Sequence, residues 1–199
     1  GGVNTLRRTG TGWHGWNTDV DGLARVILDS DAAPAHAIVL GTGATAASAV
    51  LAAYSAGFER VSVWGRRPEA VVSLVKKFHG VQIEDLGVSP WGVSSASSTG
   101  PLQLNLVHGE SWAESDTSLI ISTLPGPAGH DLKLQSELTA IPLIDVAYHP
   151  WPSPLAQRWT SAGGTAHSGL AMLVNQALLQ IRIFYSGDVI VPLQNEPRV

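Results

Sequence analysis

The sequence predicts an α/β domain built on a doubly wound parallel sheet. Three observations predict it. Short β-rich runs alternate with helical segments through most of the chain, and that alternation makes a parallel sheet with helices on both faces. The run 37–40 is continuously apolar, as a strand buried on both faces is. A glycine-rich turn, Gly41-Thr42-Gly43-Ala44-Thr45-Ala46, joins one such strand to a helix.

The elements follow in order. Residues 3–8 read as a strand, followed by a Gly-rich turn. Residues 19–29 read as an amphipathic helix. Residues 37–40 form a buried strand, and the Ala-rich run 45–56 a tightly packed helix closed by Gly57. Residues 60–64 (RVSVW) form the next strand. A helix over 68–78 starts on Pro68 and ends near Lys76 and Lys77, where cations suit the helix dipole. Segment 80–110 is the least readable; strands over 81–83 and 102–107 flank a loop whose stretch 94–100 (SSASSTG) is of low complexity. Strands over 118–122 and 142–146 come next. A helix over 153–162 is stopped by Gly163-Gly164, and a long apolar helix covers 169–185.

Composition narrows the function. Of 199 residues, 44% are apolar and 14% charged, which argues against a disordered chain. The net charge of −4 gives no electrostatic reason to bind nucleic acid or an anionic membrane. No cysteine is present, so disulfides, thiolate metal sites and a Cys nucleophile are excluded. The longest apolar runs, 35–40 and 119–121, fall far below the ~20 residues of a membrane span. No secretory signal opens the chain, and the expectation is a cytoplasmic protein. Histidines at 14, 36, 79, 108, 130, 149 and 167 show no His-x-x-x-His spacing, so no metal site is expected. No serine-hydrolase elbow and no Walker A motif occur. Trp13 and Trp16 read as packing residues, with the wall of a cleft as the other possibility.

The turn at Gly41–Ala46 carries the chemistry. In Gly-x-Gly-x-x-Ala the first glycine permits the tight turn. The second lets backbone approach a pyrophosphate, and the small third residue lets helix and strand pack closely. Phosphate then meets free N–H groups at the helix N-terminus. An NAD site usually places an acid at the end of the next strand for the ribose hydroxyls. Here that strand ends in Gly65-Arg66-Arg67. Guanidiniums suit a 2′-phosphate, so the expected cofactor is NADP. The bland alternative is a small-residue βα turn beside two solvated arginines.

Asn4-Thr5 and Asn17-Thr18-Asp19 flank the early turn. Read alone, the second cluster fits a helix cap through Thr18 or Asp19. Together with Gly2-Val3-Asn4-Thr5-Leu6, Gly41-Thr42-Gly43-Ala44-Thr45-Ala46, Asp145-Val146-Ala147-Tyr148 with Pro154-Leu155, and Gly169-Leu170-Ala171-Met172-Leu173-Val174-Asn175-Gln176-Ala177, it resembles the shikimate dehydrogenase family over essentially the whole chain.

The resemblance implies a cytoplasmic enzyme of aromatic amino-acid biosynthesis, reducing 3-dehydroshikimate to shikimate with NADPH in a cleft between a substrate domain and a Rossmann-like domain. By resemblance the catalytic Asp falls on Asp19. Substrate contacts fall on Asn4, Asn17, Tyr148 and Gln176. Cofactor contacts fall on Gly41–Ala46, Arg66, Arg67, Thr123 and Val146, with Gly169 and Met172 lining the nicotinamide. Residues 1–18 match the last part of the substrate domain, 19–168 the NADP-binding domain, and 169–199 a helix returning to the substrate domain. The partner is a small molecule, with a monomer or homodimer expected and neither nucleic acid nor membrane involved.

One departure is large. The family's catalytic Lys lies upstream of Val-Asn-Thr, and this chain opens on Gly1-Gly2 just before that motif. Lys76, Lys77 and Lys133 stand in no matching context. The resemblance therefore implies the cofactor-binding part of such an enzyme, lacking the substrate domain and inactive alone. Ser122-Thr123-Leu124-Pro125 also departs from the family's usual Asn-Ala/Thr-Thr. Three alternatives remain open: a relative acting on quinate or another polyol acid, a non-catalytic NADP(H)-binding module, and another Rossmann oxidoreductase of the methylene-tetrahydrofolate dehydrogenase kind.

Overall fold

A computed structural model describes residues 2–30, 32–78, 101–107, 114–129, 132–134 and 136–196. The strand expected at 81–83 and the low-complexity stretch 94–100 lie outside the described residues, as do His79, His108 and His130.

The chain opens with an antiparallel hairpin of β1 (Thr5–Thr9) and β2 (Gly12–Trp16), in which Thr5 pairs with Trp16. Helix α1 (Thr18–Asp29) follows. Then come β3 (His36–Leu40), α2 (Ala44–Ser55), β4 (Arg60–Trp64), α3 (Pro68–Lys76), β5 (Gln103–Val107) and β6 (Thr117–Ser122). After two 3₁₀ turns, Gly126–Gly129 and Ser136–Ala140, the chain continues through β7 (Leu143–Asp145), α4 (Pro154–Ser161), β8 (Ala166–Ser168) and α5 (Leu170–Ser186).

Six strands form one sheet in the order β5-β4-β3-β6-β7-β8, every pair parallel. The chain winds outward from β3 in one direction and then, from β6, in the other. This is the doubly wound arrangement expected, with its switch point between β3 and β6. Alternate residues serve opposite faces. Ala37, Val39, Val61, Val63, Leu119 and Ile121 meet α1, α2 and α3. Ile38, Leu40, Ile120 and Leu143 meet α4 through Leu155 and the fully buried Trp159. Each such large apolar side chain contributes about 1.5–3 kcal/mol by burial. Trp159 also satisfies its indole N–H on the Ile141 carbonyl at 3.1 Å.

Two strands exceed the sequence reading. The Gly-rich turn after β1 is itself a strand, β2, whose pattern Gly-Trp-His-Gly-Trp carries no apolar alternation. β8 is a three-residue edge strand paired with β7. Helix ends match their signals. Gly57 and Gly163 take φ of +101° and +89° just beyond α2 and α4, the left-handed region where glycine carries no Cβ penalty.

α5 packs chiefly on α1, and α1 in turn on α2. The α1–α5 crossing is close because Gly22 has no side chain. A Cβ there would stand 2.9 Å from the backbone nitrogen of Gln176 and 3.1 Å from the Met172 carbonyl.

Candidate functional site

The switch point between β3 and β6 leaves a crevice at the C-terminal ends of the strands, where open α/β sheets bind ligands. A cavity of about 560 Å³ lies there. Gly41, Thr42 and Gly43 line it from the β3–α2 turn, and Trp64, Gly65, Arg66 and Arg67 from the end of β4. Thr123, Leu124, Pro125, Ala128, Leu132 and Lys133 line it from the segment after β6.

The turn is built by close approach. Gly41 has φ +128°, and a Cβ on it would stand 2.2 Å from Thr123 Oγ1. Thr123 donates that hydroxyl and its backbone N–H to the Leu40 carbonyl, at 2.9 and 2.8 Å. The Gly41 N–H is spent on Trp64 O at 2.8 Å. Gly65 is pressed as tightly, with a Cβ there 2.6 Å from Thr42 Cγ2.

Gly43 differs, because a Cβ there would meet nothing within 4 Å. It is the N-cap of α2, makes no side-chain cap, and no acid stands in the first turn. The start of α2 thus has open space beside Gly43, no side-chain cap and the positive end of the helix dipole, a combination that suits an anion. Ala46 is fully buried, so the small third position serves packing as expected. Ala44 is exposed and Thr45 half-buried on the same first turn. Arg66 and Arg67 are exposed at the cavity rim. Among the described residues that line the cavity, none is acidic. The lining fits a dinucleotide with an extra phosphate: the uncapped start of α2 for pyrophosphate, apolar walls from Trp64, Leu124 and Leu132, and cations at the rim.

A second cluster forms around the start of α1. Asn17 caps the helix, its Oδ1 accepting from the Asp19 N–H at 3.2 Å, while its Nδ2 donates to Ser48 Oγ of α2 at 3.0 Å. The cap is thus Asn17, where the sequence suggested Thr18 or Asp19. Asn4 Nδ2 donates to Asp19 Oδ1 at 2.9 Å and to Thr18 Oγ1 at 3.0 Å, and Asn4 Oδ1 accepts the Thr18 N–H at 3.0 Å. Thr18 Oγ1 stands 3.2 Å from Gln176 Oε1, which accepts from Gln180 Nε2 at 2.7 Å. Asn4, Asn17, Asp19 and Gln176 are therefore joined in one hydrogen-bonded group across the segment before β1, the start of α1, and α5. Tyr148 is not a member of it and stands 52% exposed on the loop after β7.

Val146, Gly169 and Met172 form the passage from sheet to α5. Val146 N–H donates to Ser122 O at 2.9 Å, and Gly169 N–H to Ala147 O at 3.0 Å. A Cβ on Gly169 would overlap the Val146 carbonyl at 2.0 Å. Met172 is buried in the core that includes α1, with Val146 packed against it. None of these three lines the cavity described above.

Two carboxyls near this region are held above their ordinary range. Burial pushes Asp21 up to about 6. Asp145, at the end of β7, is raised by burial against the opposing pull of hydrogen bonds from Ser153 and the Ala147 N–H. Ser153 also accepts from Ala156 N at 3.0 Å as the cap of α4, so Asp145 ties both ends of the loop carrying Tyr148.

One cluster with metal-ligand chemistry occurs among the described residues: His36, Glu114 and Asp116, at the opposite, N-terminal end of the central strands. The Arg60 guanidinium already sits among them, donating to Glu114, Asp116 and His36 Nδ1. Since Arg can only donate, His36 Nδ1 accepts, and the ring proton lies on Nε2, 2.8 Å from Ser62 Oγ. Burial first, then Arg60, lowers the His36 pKa. The group is a neutral-histidine ion-pair network.

Sequence reasoning missed Trp64, Lys133 and the apolar wall after β6, and it missed Ser48 and Gln180. Gln180 sits one helical turn from Gln176, a spacing that puts both on one face. Lys133 gave no local signal. Trp13 is 66% exposed, and Trp16 is half-buried with its ring 6.0 Å from that of His14, so neither lies in the buried core of the described residues.

No family model matches the chain. Curated relatives do. A shikimate dehydrogenase (NADP(+)) of Microcystis aeruginosa is 29% identical over 98% of this chain and 67% of its own length. The solved shikimate dehydrogenase of Mycobacterium tuberculosis superposes with a TM-score of 0.70 and 32% identity, over 94% of this chain and 62% of that one. A shikimate 5-dehydrogenase from Thermus thermophilus, solved in complex with NADP(H) and shikimate, has a TM-score of 0.68 over 92% of this chain and 62% of that one. Its 23% identity speaks for the fold alone. The chain spans about two thirds of the length of the proteins it matches.

Proposed function

We propose that this chain, a relative of the shikimate dehydrogenases along nearly all its length, is the NADP-binding part of such an enzyme and serves the reversible reduction of 3-dehydroshikimate to shikimate. The observation that carries the proposal is the cavity at the switch point. The uncapped start of α2 stands on one side, Arg66 and Arg67 follow β4 on another, and no acid takes the place of the usual ribose-binding carboxylate.

Gly41–Ala46 would hold the pyrophosphate, with Thr123 fixing the turn. Arg66 and Arg67 would hold the 2′-phosphate, since paired N–H donors match phosphate oxygens. The bound nicotinamide supplies or accepts the hydride. Gly169, Val146 and Met172 shape the chain beside the substrate group and position α5. Asn4, Asn17, Gln176 and Tyr148 offer the hydrogen-bonding side chains that a polyhydroxy carboxylate needs. Gln176 Oε1 is engaged by Thr18 and Gln180, which orients its amide. Asn4 holds Asp19 Oδ1 and leaves Oδ2 to take part in moving the substrate hydroxyl proton together with a lysine from the remaining part of the enzyme.

In this reading residues 1–18 and 169–199 belong with the substrate domain and 19–168 form the cofactor domain. The exposed apolar side chains of α5, Leu170, Leu173, Val174 and Phe184 among them, are then the surface that the substrate domain covers. The enzyme acts in the cytoplasm, as a monomer or homodimer, on a small molecule; no helix among the described residues is long and apolar enough to cross a membrane.

The test joins the chain to the N-terminal third of the Microcystis relative and follows NADPH absorbance with shikimate and, separately, quinate. The expected result is NADP⁺-dependent oxidation of shikimate that Asp19→Asn abolishes. Cofactor binding without turnover of either compound would refute the dehydrogenase and favour a non-catalytic NADP(H) module.

A further inference from the structure

Resting on the NADP reading above, we propose that Asp145 is a positioning residue for the nicotinamide end of the cofactor: with Ser153 it holds the loop between β7 and α4 in the shape that the bound dinucleotide meets. Sheet order sets the direction. Arg66 and Arg67 follow β4 and the uncapped start of α2 follows β3. A dinucleotide with its 2′-phosphate on the first and its pyrophosphate on the second runs on across the switch point, over the C-terminal ends of β6 and β7. The cavity reaches that side at Thr123, just past β6, and Asp145 pairs with Ser122 in the neighbouring strand.

The loop there is tied at both ends to one carboxyl. Asp145 is 2% exposed. Its Oδ1 accepts the Ala147 N–H at 3.2 Å, and its Oδ2 accepts the Ser153 hydroxyl. Ser153 is equally buried and caps α4 by accepting the Ala156 N–H at 3.0 Å. Ala147 passes the tie on, because its carbonyl accepts the Gly169 N–H at 3.0 Å at the start of α5. Val146 N–H donates to Ser122 O at 2.9 Å and so extends the β6–β7 pairing into the loop. One side chain thus sets where the Val146 peptide, Tyr148 and the first turn of α5 stand. Asp145 and Ser153 do not themselves line the cavity, so they act through this loop.

The chemistry calls for a carboxyl. Two donors, an N–H and an O–H, converge on the residue, and Asp offers an acceptor oxygen to each. Asn offers one oxygen; its amide would turn a donor toward a Ser153 oxygen that already accepts from Ala156. Burial works against a carboxylate here and raises the Asp145 pKa, while both hydrogen bonds support the charge. A group so costly to bury is useful where it fixes a shape. A loop held in its bound form beforehand needs no ordering when the ligand arrives, and affinity gains by that amount.

The experiment is calorimetric titration of the full chain and of Asp145→Asn, Ser153→Ala and Ser153→Thr with NADP⁺ and with 2′,5′-ADP, which carries the 2′-phosphate and lacks the nicotinamide half. Asp145→Asn and Ser153→Ala should weaken NADP⁺ by about fivefold, the cost of ordering a loop on binding, and leave 2′,5′-ADP within about twofold of wild type. Ser153→Thr, which keeps the hydroxyl, should bind both as wild type does. Retained 2′,5′-ADP binding also reports a folded domain. If Ser153→Ala, which uncaps α4 as well, fails to fold, Asp145→Asn carries the comparison. Parallel loss of both ligands in Asp145→Asn, or loss of neither, overturns the role of Asp145 and leaves the cofactor reading standing. A wild-type chain that binds neither ligand overturns both.

Discussion

Replacing Gly22 with Ala sets two effects of opposite sign against each other, and the structure says which wins. Gly22 sits inside α1, where alanine is intrinsically better than glycine by about 0.8–1.0 kcal/mol. On an open helix face the substitution would stabilise the protein. Here the new methyl would stand 2.9 Å from both Cβ and N of Gln176 and 3.1 Å from Met172 O, against 3.4–4 Å for ordinary contact. Two of those atoms are α5 backbone, so no rotamer change relieves the overlap. α5 must retreat by about half an ångström, and overpacking of this kind costs about 1–3 kcal/mol. The net expectation is a loss of about 1 kcal/mol, or about 2–4 °C in melting temperature for a chain of this size. The retreat also lengthens the Thr18–Gln176 contact, now 3.2 Å. Calorimetric melting and urea titration of wild type and Gly22→Ala read the effect directly. A variant that melts higher than wild type would show that α1 and α5 do not cross this closely, and the joining of Asp19 to Gln176 would fall with it.

Other outcomes follow from the same geometry. Arg66→Ala together with Arg67→Ala should weaken NADP⁺ binding by at least about tenfold with little effect on NAD⁺; equal loss for both cofactors removes the phosphate clamp. Asp19→Asn in the enzyme restored to full length should lower turnover by about a hundredfold or more with an unchanged melting temperature, whereas unchanged turnover leaves Asp19 as part of a helix start only. Asp21, raised by burial to about 6 from 3.8, makes the folded state bind more protons than the unfolded state between those values. Its contribution to stability therefore falls as pH rises through that window, by up to about 3 kcal/mol. Asp21→Asn should flatten that part of the stability–pH curve and melt higher than wild type at pH 7.5 but not at pH 4; parallel curves would refute it. Gly169→Ala, whose methyl would overlap the Val146 carbonyl, should lower the melting temperature by several degrees, consistent with about 1–3 kcal/mol of overpacking.

What the sequence reveals here depends on how local the cause is. The Gly41–Ala46 turn and Arg66-Arg67 are legible because a turn glycine, a helix N-terminus and a strand end are neighbours in sequence. The six-stranded parallel sheet follows from apolar runs spaced by helices. β2 escapes because Gly-Trp-His-Gly-Trp becomes a strand only by pairing with β1. β8 escapes because three residues at a sheet edge carry no period. The Asn4–Thr18–Gln176 group is closed by a hydrogen bond between residues 158 positions apart, Thr18 and Gln176, and the resemblance to a family marked Asn4 and Gln176. Lys133 reaches the cavity through the packing of Leu132 and the hydrogen bond from Arg158 to the Leu132 carbonyl, neither of which leaves a local pattern.

The central claim is a cofactor site specific for NADP, and titration of the unmodified chain with NADP⁺ and NAD⁺ in one buffer tests it most directly. Binding of NADP⁺ at least about tenfold tighter than NAD⁺, with the difference shrinking as salt screens the cations, is the result predicted. Equal affinity for the two cofactors, or binding of neither, would contradict it.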